Sequence, residues 1–146
     1  MKAIVIDRDV VDKLVEYVKR EMPNEAVALL LGRQNDEVEV EEVVLVSNIL
    51  KSPTEFHVDP TELYMAYRKA EQKNMDIVAI FHSHPSSPYP STLDMKFMKL
   101  NPVVWLILST INFELKAFVL KDKLYEVKIM IRKKKSLIPM YKRKNR

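Results

Sequence analysis

The chain of 146 residues is about the length of one domain, and its 47% of apolar residues can form an ordinary core. No apolar run approaches the ~18 residues of a membrane span, and the start of the chain lacks the apolar stretch of a signal peptide. Cysteine is absent, which excludes disulfides and thiolate ligands, so a metal site would use His, Asp or Glu. We therefore expect a soluble cytoplasmic protein.

The net charge of +4 is unevenly distributed along the chain. Residues 132–146 hold eight Lys and Arg residues and no acid, which leaves 16 basic and 20 acidic side chains for the rest. We predict an acidic domain over residues 1–131 followed by a basic tail over residues 132–146. The tail could be a solvated terminus or could bind an acidic surface such as nucleic acid. Because Tyr141 is its only aromatic residue, base stacking has little support, and we expect no nucleic-acid partner.

The chain opens with a strand and a helix. Residues 2–6 predict a short strand, and residues 7–22 carry apolar side chains at helical spacing. Asp7 or Asp9 could cap this helix, and Pro23 ends it.

Two strands and a second helix follow. Residues 26–32 are apolar throughout, which predicts a buried strand closed by Gly32, the only glycine. Residues 37–48 begin with alternating Val and Glu, as in a strand with one solvent-exposed face. Asp59 and Pro60 are the expected cap and first residue of a helix. This helix is expected to place four residues on one face: Leu63, Ala66, Tyr67 and Ala70.

The second half of the chain is rich in strands. Residues 76–82 predict a strand and residues 91–100 a short helix. Three more strands are predicted over residues 103–110, 114–120 and 124–131. This mixed order predicts an α+β (mixed α/β) fold, with a curved mixed β-sheet flanked by helices. The apolar first helix and the edge strands could support a homodimer.

Two of the three histidines lie at the end of the strand that begins at residue 76. Side chains alternate faces along a strand, so His82 and His84 project together while Ser83 points away. Two imidazoles on one face are good metal ligands, and a catalytic zinc needs a third protein ligand. Asp94 is the natural third ligand. Prolines stiffen the loop that separates it from the histidines, which lowers the entropy lost in holding Asp94 in place.

Each of these residues also has a purely structural interpretation. Ser91 and Asp94 have the spacing of a helix capping box, and paired histidines at a strand end are often surface residues. A metal site that hydrolyses amides also needs a base for its water. Spacing does not choose among the many acids, but Glu25 lies at the rim of a fully apolar strand. It is either a solvated strand end or a placed functional group.

Two stretches together, "PNEAVALLLG" (residues 23–32) and "HSHPSSPYPSTLD" (residues 82–94), resemble the JAMM/MPN-plus zinc metalloprotease family. The pattern of that family is an upstream Glu, His-Ser/Thr-His-Pro, a short loop, and Ser-x-x-Asp. The resemblance extends over residues 1–131. It implies the JAMM/MPN fold, which is cytidine-deaminase-like, and one zinc ion per chain.

The resemblance implies a role for each matching residue. His82, His84 and Asp94 match the zinc ligands. The loop from Pro85 to Pro90 has six residues, one fewer than is usual in the family, which could displace Asp94.

Three further residues match the motif outside the ligand set. Glu25 matches the general base that deprotonates the zinc-bound water, and Ser91 matches the serine that stabilises the tetrahedral intermediate. Ser83 occupies the Ser/Thr position between the histidines, where it would support the ligands. His57 matches no ligand, and we interpret it as structural or as part of a loop near the site.

The implied activity is that of a stand-alone, archaeal desampylase-like isopeptidase. Such an enzyme cleaves after the C-terminal tail of a ubiquitin-like modifier protein joined to a lysine. Cleavage of a sulfur-carrier protein from its adducts uses the same chemistry, so the sequence does not separate the two substrates. A non-catalytic MPN scaffold is the alternative from another class, although every motif position is filled here.

Overall fold

The computed structural model describes residues 3–133. The predicted tail, apart from Arg132 and Lys133, lies outside the described residues. Within that range the elements are, in order, β1 (Ala3–Asp7), α1 (Arg8–Glu21), β2 (Val27–Gln34), β3 (Val38–Val46), α2 (Pro60–Gln72), β4 (Asp76–His84), α3 (Thr92–Leu100), β5 (Val104–Ser109), β6 (Leu115–Leu120) and β7 (Leu124–Arg132). None of these helices is long and apolar enough to cross a membrane.

The strands form one sheet that closes on itself in the order β1-β3-β2-β4-β5-β6-β7. The mixed α/β class with flanking helices is confirmed, but the sheet is a closed barrel, whereas we had expected a curved sheet. Closure follows from the parallel pairing of β1 with β7, which runs from Ala3 opposite Lys128 to Asp7 opposite Arg132. Arg132 Nε also bonds the Asp7 carboxylate across this seam.

We had predicted from the sequence that Gly32, the only glycine, ends its strand, and this prediction is wrong. β2 continues past Gly32 to Gln34, and its register against β3 shifts between Leu31 and Gly32. A Cβ atom at Gly32 would lie 1.8 Å from the carbonyl oxygen of Glu39. Glycine is needed here because the backbone of β3 approaches closely at the bulge.

The first and third helices begin close to where the sequence predicts. Asp7 is the N-cap residue of α1, but its side chain makes no capping hydrogen bond and pairs with Arg132 instead. Ser91 caps α3.

The second helix matches its predicted start but differs on one face. Asp59 caps α2 by accepting a hydrogen bond from Thr61 N at 2.9 Å. Ala66 and Ala70 are buried, whereas Tyr67 is 56% exposed, so its predicted place on the buried face is wrong. Two small residues let α2 lie close to the sheet, and the tyrosine one position further on turns to solvent.

Apolar side chains pack on both faces of the central strands. The largest cluster joins α1 to all seven strands and includes Phe81 of β4. The side chains that point to the other face of the sheet pack under α2 and α3, among them Leu29, Ile80 and Trp105. Because residues i and i+2 share a face, β4 carries His82 and His84 on the same side as Ile80. The histidines therefore lie on the face covered by α2 and α3.

Candidate metal centre

The two histidines at the end of β4 are buried, with His82 fully inaccessible to solvent. His82 Nδ1 lies 3.2 Å from the carbonyl oxygen of Ser83, and His84 Nδ1 lies 3.1 Å from that of Ser87. A carbonyl partner at Nδ1 assigns the proton of a neutral imidazole to that atom and leaves the Nε2 lone pair free. Both rings are thus arranged to offer Nε2 as a ligand.

Asp94 completes a compact group with these two rings. Its Oδ2 atom lies 3.4 Å from Nε2 of His82 and 3.4 Å from Nε2 of His84. Two ligands on one tetrahedral zinc, each bound at ~2.0–2.1 Å, lie roughly 3.3 Å apart. The six-residue loop from Pro85 to Pro90 therefore places one Asp94 oxygen at about this distance from both ring nitrogens.

The capping box and the ligand group share one carboxylate. Ser91 Oγ accepts a hydrogen bond from Asp94 N at 3.0 Å, and Ser91 N donates to Asp94 Oδ2 at 2.9 Å. The same Oδ2 faces both histidines, so the two interpretations that the sequence left open are compatible. The box orients the carboxylate, because one lone pair accepts from Ser91 and another remains directed to the rings.

Ser83 lies on the opposite side of β4 from the histidines, as its position in the strand predicts. Its Oγ accepts a hydrogen bond from Ala26 N at 2.8 Å, and its own backbone N donates to Ala26 O at 3.0 Å. These bonds fix the backbone immediately after Glu25. Ser83 therefore joins the histidine strand to the residue that carries the candidate base.

Glu25 directs its carboxylate into the same group and is only 2% exposed. Its Oε1 lies 3.5 Å from His82 Nδ1, and its Oε2 lies 3.9 Å from His84 Nε2. Glu25, His82 and His84 offer ligand atoms that all lie within 4.8 Å of one another. The Glu25 carboxylate is further from His84 Nε2 than the Asp94 carboxylate is, as suits a group that binds a water.

The unpaired polar atoms of the site indicate that it is built for a ligand. Among residues 3–133, Glu25 Oε1 and His82 Nε2 are buried and have no hydrogen-bond partner. A buried polar atom without a partner destabilises the fold by about 1–3 kcal/mol. A divalent cation with a bound water would satisfy both atoms, and His and carboxylate donors without thiolates suit zinc. The residues present therefore fit the metal that the family resemblance implies.

The electrostatics of the site favour positive charge. Burial acts to lower the pKa of His82, but the carboxylates of Asp94 and Glu25 outweigh it and raise the pKa to about 9. The pKa of His84 is also raised, chiefly by Asp94. Burial acts to raise the pKa of Asp94, yet the two histidines hold it well below its ordinary range. Two carboxylates around two imidazoles thus form a site that attracts a cation.

Aromatic rings shield one side of the group from water. The centroid of the Phe56 ring lies 5.1 Å from that of the His82 ring. The Trp105 ring packs nearly perpendicular to the His82 ring, with 5.9 Å between the centroids. Phe56 belongs to the β3–α2 loop, which we define as residues 47–59. His57, the next residue, has an exposed side chain and contributes its backbone N to a hydrogen bond with Asn48.

Sequence reasoning missed Asn48 and Phe56. Asn48 is buried beside Glu25 and donates to its carbonyl oxygen at 3.0 Å. Phe56 packs on His82. Their sequence neighbourhood is an ordinary loop, and only the long-range contacts single them out.

Comparisons with known proteins identify the family of the chain. The family described as prokaryotic homologues of the JAB domain matches residues 7–121. The Desampylase of Pyrococcus furiosus is 43% identical over 110 residues, which cover 73% of this chain and 76% of that protein. The CysO-cysteine peptidase of Mycobacterium tuberculosis is 30% identical over 108 residues, 73% of each chain.

Two further matches extend the comparison. A probable TtuB-protein conjugate cleaving protease of Thermus thermophilus is 35% identical over 95 residues, 64% of this chain and 62% of that protein. The solution structure of protein DSY2949 from Desulfitobacterium hafniense superposes with a TM-score of 0.80 at 29% identity. That superposition covers 90% of this chain and 94% of the other. The chain belongs to the family of prokaryotic homologues of the JAB domain.

Proposed function

We propose that this protein is a zinc-dependent peptidase that hydrolyses the amide bond after the C-terminal tail of a ubiquitin-like modifier protein. The names of three relatives describe a desampylase, a conjugate-cleaving protease and a CysO-cysteine peptidase. All three names denote hydrolysis, and two of them specify a protein conjugate or adduct as the substrate. The partner of this chain is accordingly a ubiquitin-like protein together with its lysine conjugates.

One observation carries the metal assignment. The Asp94 Oδ2 atom lies at the same 3.4 Å from Nε2 of both His82 and His84. These three residues would hold one zinc ion per chain and leave a fourth position for water. Zinc bound there would lower the pKa of its water to ~7 and polarise the scissile carbonyl.

Glu25 is the general base in this proposal. Its Oε2 atom lies on the Nε2 side of His84, where it can accept a proton from the attacking water. The same carboxylate returns that proton to the leaving amine, so Glu25 ends the cycle as it began. Its burial excludes bulk water and keeps the proton within the site.

Ser91 stabilises the negative charge that develops on the substrate carbonyl oxygen. Its Oγ accepts from Asp94 N, which leaves its hydroxyl hydrogen free to donate to the substrate. The residue is half-buried at the start of α3, where the helix dipole also favours negative charge. An oxyanion donor of this kind is typically worth about 2.7–4 kcal/mol. Ser83 supports the reaction by fixing Ala26 against β4.

The relatives favour a second substrate for the same chemistry. A CysO-cysteine peptidase at 30% identity supports a sulfur-carrier protein released from a C-terminal amino-acid adduct. Both substrates present the carboxyl terminus of a small protein in amide linkage, so the same site serves either one. The identity of the amine that leaves is the difference between them.

The test is a cleavage assay on two defined substrates. One is a ubiquitin-like protein joined through its C-terminus to a lysine side chain, and the other is the same type of protein joined to cysteine. The zinc-loaded protein should release the free modifier from at least one of them, and the Glu25→Gln variant should not. A wild-type protein that binds zinc and cleaves neither would favour the scaffold function instead.

A further inference from the structure

The β3–α2 loop contains a buried asparagine that has no place in the proposed chemistry. Asn48 is only 4% exposed and follows β3 by two residues. Its side chain lies between Glu25 and the segment that carries Phe56. A primary amide in such a position needs partners for two N–H donors and one carbonyl oxygen.

The donor end of this amide holds three backbone carbonyls. Asn48 Nδ2 donates to the carbonyl oxygens of Glu25 and Glu55, each at 3.0 Å. A longer contact of 3.4 Å reaches the carbonyl oxygen of Ser52. The donors therefore connect the residue of the candidate base to two points of the β3–α2 loop.

The acceptor end of the amide holds two backbone N–H groups. Asn48 Oδ1 accepts from Leu50 N at 3.2 Å and from His57 N at 3.1 Å. Both ends of the side chain are thus fully used. Substitution of Asn48 by aspartate would keep the shape of the side chain and its acceptor oxygen, but would remove the two N–H donors.

These bonds fix the backbone of Glu25 on both sides. Its carbonyl oxygen accepts from Asn48, and its N–H donates to Ser52 O at 2.8 Å. The next residue, Ala26, is held by Ser83 of β4. With the backbone held at three points, the Glu25 side chain starts from one fixed position relative to the two histidines.

The same asparagine also determines where an aromatic ring lies. Phe56 stands between Glu55 and His57, and Asn48 bonds the backbone of both neighbours. The Phe56 ring then packs at 5.1 Å from His82 and 6.2 Å from Trp105. One amide therefore connects the candidate base with the ring that covers a candidate ligand.

We propose that Asn48 is a positioning residue for the reaction, which sets the Glu25 carboxylate at the distance that proton transfer requires. This inference rests on the proposed function. Asn48 itself does not touch substrate or metal. Because a misplacement of about 1 Å can reduce catalysis on the order of 10²-fold, loss of its donors should lower kcat more than it raises KM.

The experiment compares Asn48→Asp with two controls. Asn112→Asp makes the same change in an exposed turn, where Oδ1 accepts from Glu114 N at 3.0 Å. Tyr17→Phe removes a buried hydrogen bond to Val46 O at the end of β3 and reports a general loss of stability. All proteins are loaded with zinc and assayed with the conjugate that the wild type cleaves, well below their melting temperatures.

We expect kcat of Asn48→Asp to fall by roughly 10- to 100-fold, with KM within about threefold and zinc content unchanged. Hydrogen exchange of the Glu25 amide should accelerate, because its acceptor, the carbonyl oxygen of Ser52, belongs to the loop that loses the Asn48 donors. Exchange in the β6–β7 hairpin should not change. The decisive measurement places Asn48→Asp in a Glu25→Gln background. If Asn48 acts through Glu25, the residual rate of that double variant should match that of Glu25→Gln within about twofold.

Two results would overturn the inference. One is an unchanged kcat in a folded Asn48→Asp protein, and the other is an equal loss of rate in both backgrounds, as a general structural role would give. Failure of the wild type to cleave either conjugate would overturn the proposed function and this inference together. Wild-type cleavage with unaffected Asn48→Asp overturns this inference alone.

Discussion

The three candidate ligands lie on one continuous stretch, residues 82–94, whereas Glu25 is held by the β3–α2 loop and by β4. The ligand stretch is organised by local rules: strand alternation aims His82 and His84 together, and a capping box orients Asp94. Glu25 has no such local device. Its position depends on Asn48, Ser52 and Ser83, all distant in the chain.

We expect this difference to separate metal binding from catalysis. The ligand stretch should bind zinc as long as β4 and α3 are folded, because its geometry is set within thirteen residues. The base should be sensitive to changes in several distant segments, because each contributes one contact to its position. Variants of the first region are expected to lose metal, and variants of the second are expected to keep metal and lose rate.

The largest effect is expected from Asp94→Asn. This change removes the negative charge between the two histidines while leaving a side chain that can still accept from Ser91 N. Zinc content should fall from about one per chain to near zero, and cleavage should fall by about 10³-fold or more. Plasma mass spectrometry and the conjugate assay measure both.

Asp59→Asn is the control for that change, because Asp59 is also an aspartate at a helix start whose carboxylate accepts a backbone N–H, and it lies outside the ligand group. It should bind zinc as the wild type does. Full zinc occupancy in Asp94→Asn would contradict the ligand assignment.

The next effect is expected from Glu25→Gln, which should keep about one zinc per chain and lose kcat by roughly 10²- to 10⁴-fold. The neutral amide cannot take the proton of the attacking water. Glu55→Gln makes the same change on an exposed residue of the β3–α2 loop and should leave kcat within about twofold of wild type.

The measurement also distinguishes a base from a ligand. Glu25 lies close enough to both histidines to bind a metal itself. Loss of zinc in Glu25→Gln would show that it is a ligand, and the assignment of the base would have to change.

The sequence predicts the geometry of residues 82–94 well because the information for it is local. A period of two placed both histidines on one face, and the spacing of Ser91 and Asp94 predicted the capping box that the structure contains. All seven strands and three helices of the described region lie close to their predicted positions. From the residues alone, Glu25 stood out only because it precedes an apolar strand, and its role as a base was implied by the family resemblance.

The features that the sequence did not predict all depend on contacts between distant segments. Closure of the barrel requires β1 to pair with β7, and the bulge at Gly32 reflects the approach of Glu39. Asn48 looks like any loop asparagine until Glu25, Glu55 and His57 are placed around it. Local patterns do not encode such pairings.

A pH effect of intermediate size should follow from the histidines. In the metal-free protein the pKa of His82 is raised from 6.5 to about 9 by the nearby carboxylates. This proton must leave before Nε2 can bind zinc, so the apparent affinity should rise as the pH increases from 6.5 to 9, by up to ~tenfold per pH unit for each proton released.

The stability of the metal-free protein should move in the opposite direction. A raised pKa in the folded state means that the stabilising contribution is complete below pH 6.5 and is lost as the pH rises through about 9. The melting temperature of the metal-free protein should therefore fall over this range. The rise in melting temperature on adding zinc should become larger over the same range. A zinc affinity that is flat from pH 6.5 to 9 would contradict the raised pKa.

The smallest effect concerns the short loop between His84 and Ser91. Tyr89 is 48% exposed, yet its ring lies 5.5 Å from Phe118 and beneath Lys116 Nζ at 5.6 Å. These contacts anchor the loop to β6. Because an aromatic pair contributes about 0.5–1.5 kcal/mol, Tyr89→Ala should weaken zinc affinity by roughly 2- to 10-fold, and Tyr89→Phe should not.

Tyr125→Ala is a closely matched control for that last change. Tyr125 is also a partly exposed tyrosine with a lysine over its ring, Lys123 at 5.5 Å, but it lies on β7 and its hydroxyl donates to Asp122. If both alanine variants weaken zinc binding equally, the effect is one of general stability. If only Tyr89→Ala does so, the ligand stretch is less self-sufficient than its local geometry indicates, and β6 is part of what holds Asp94 at the histidines.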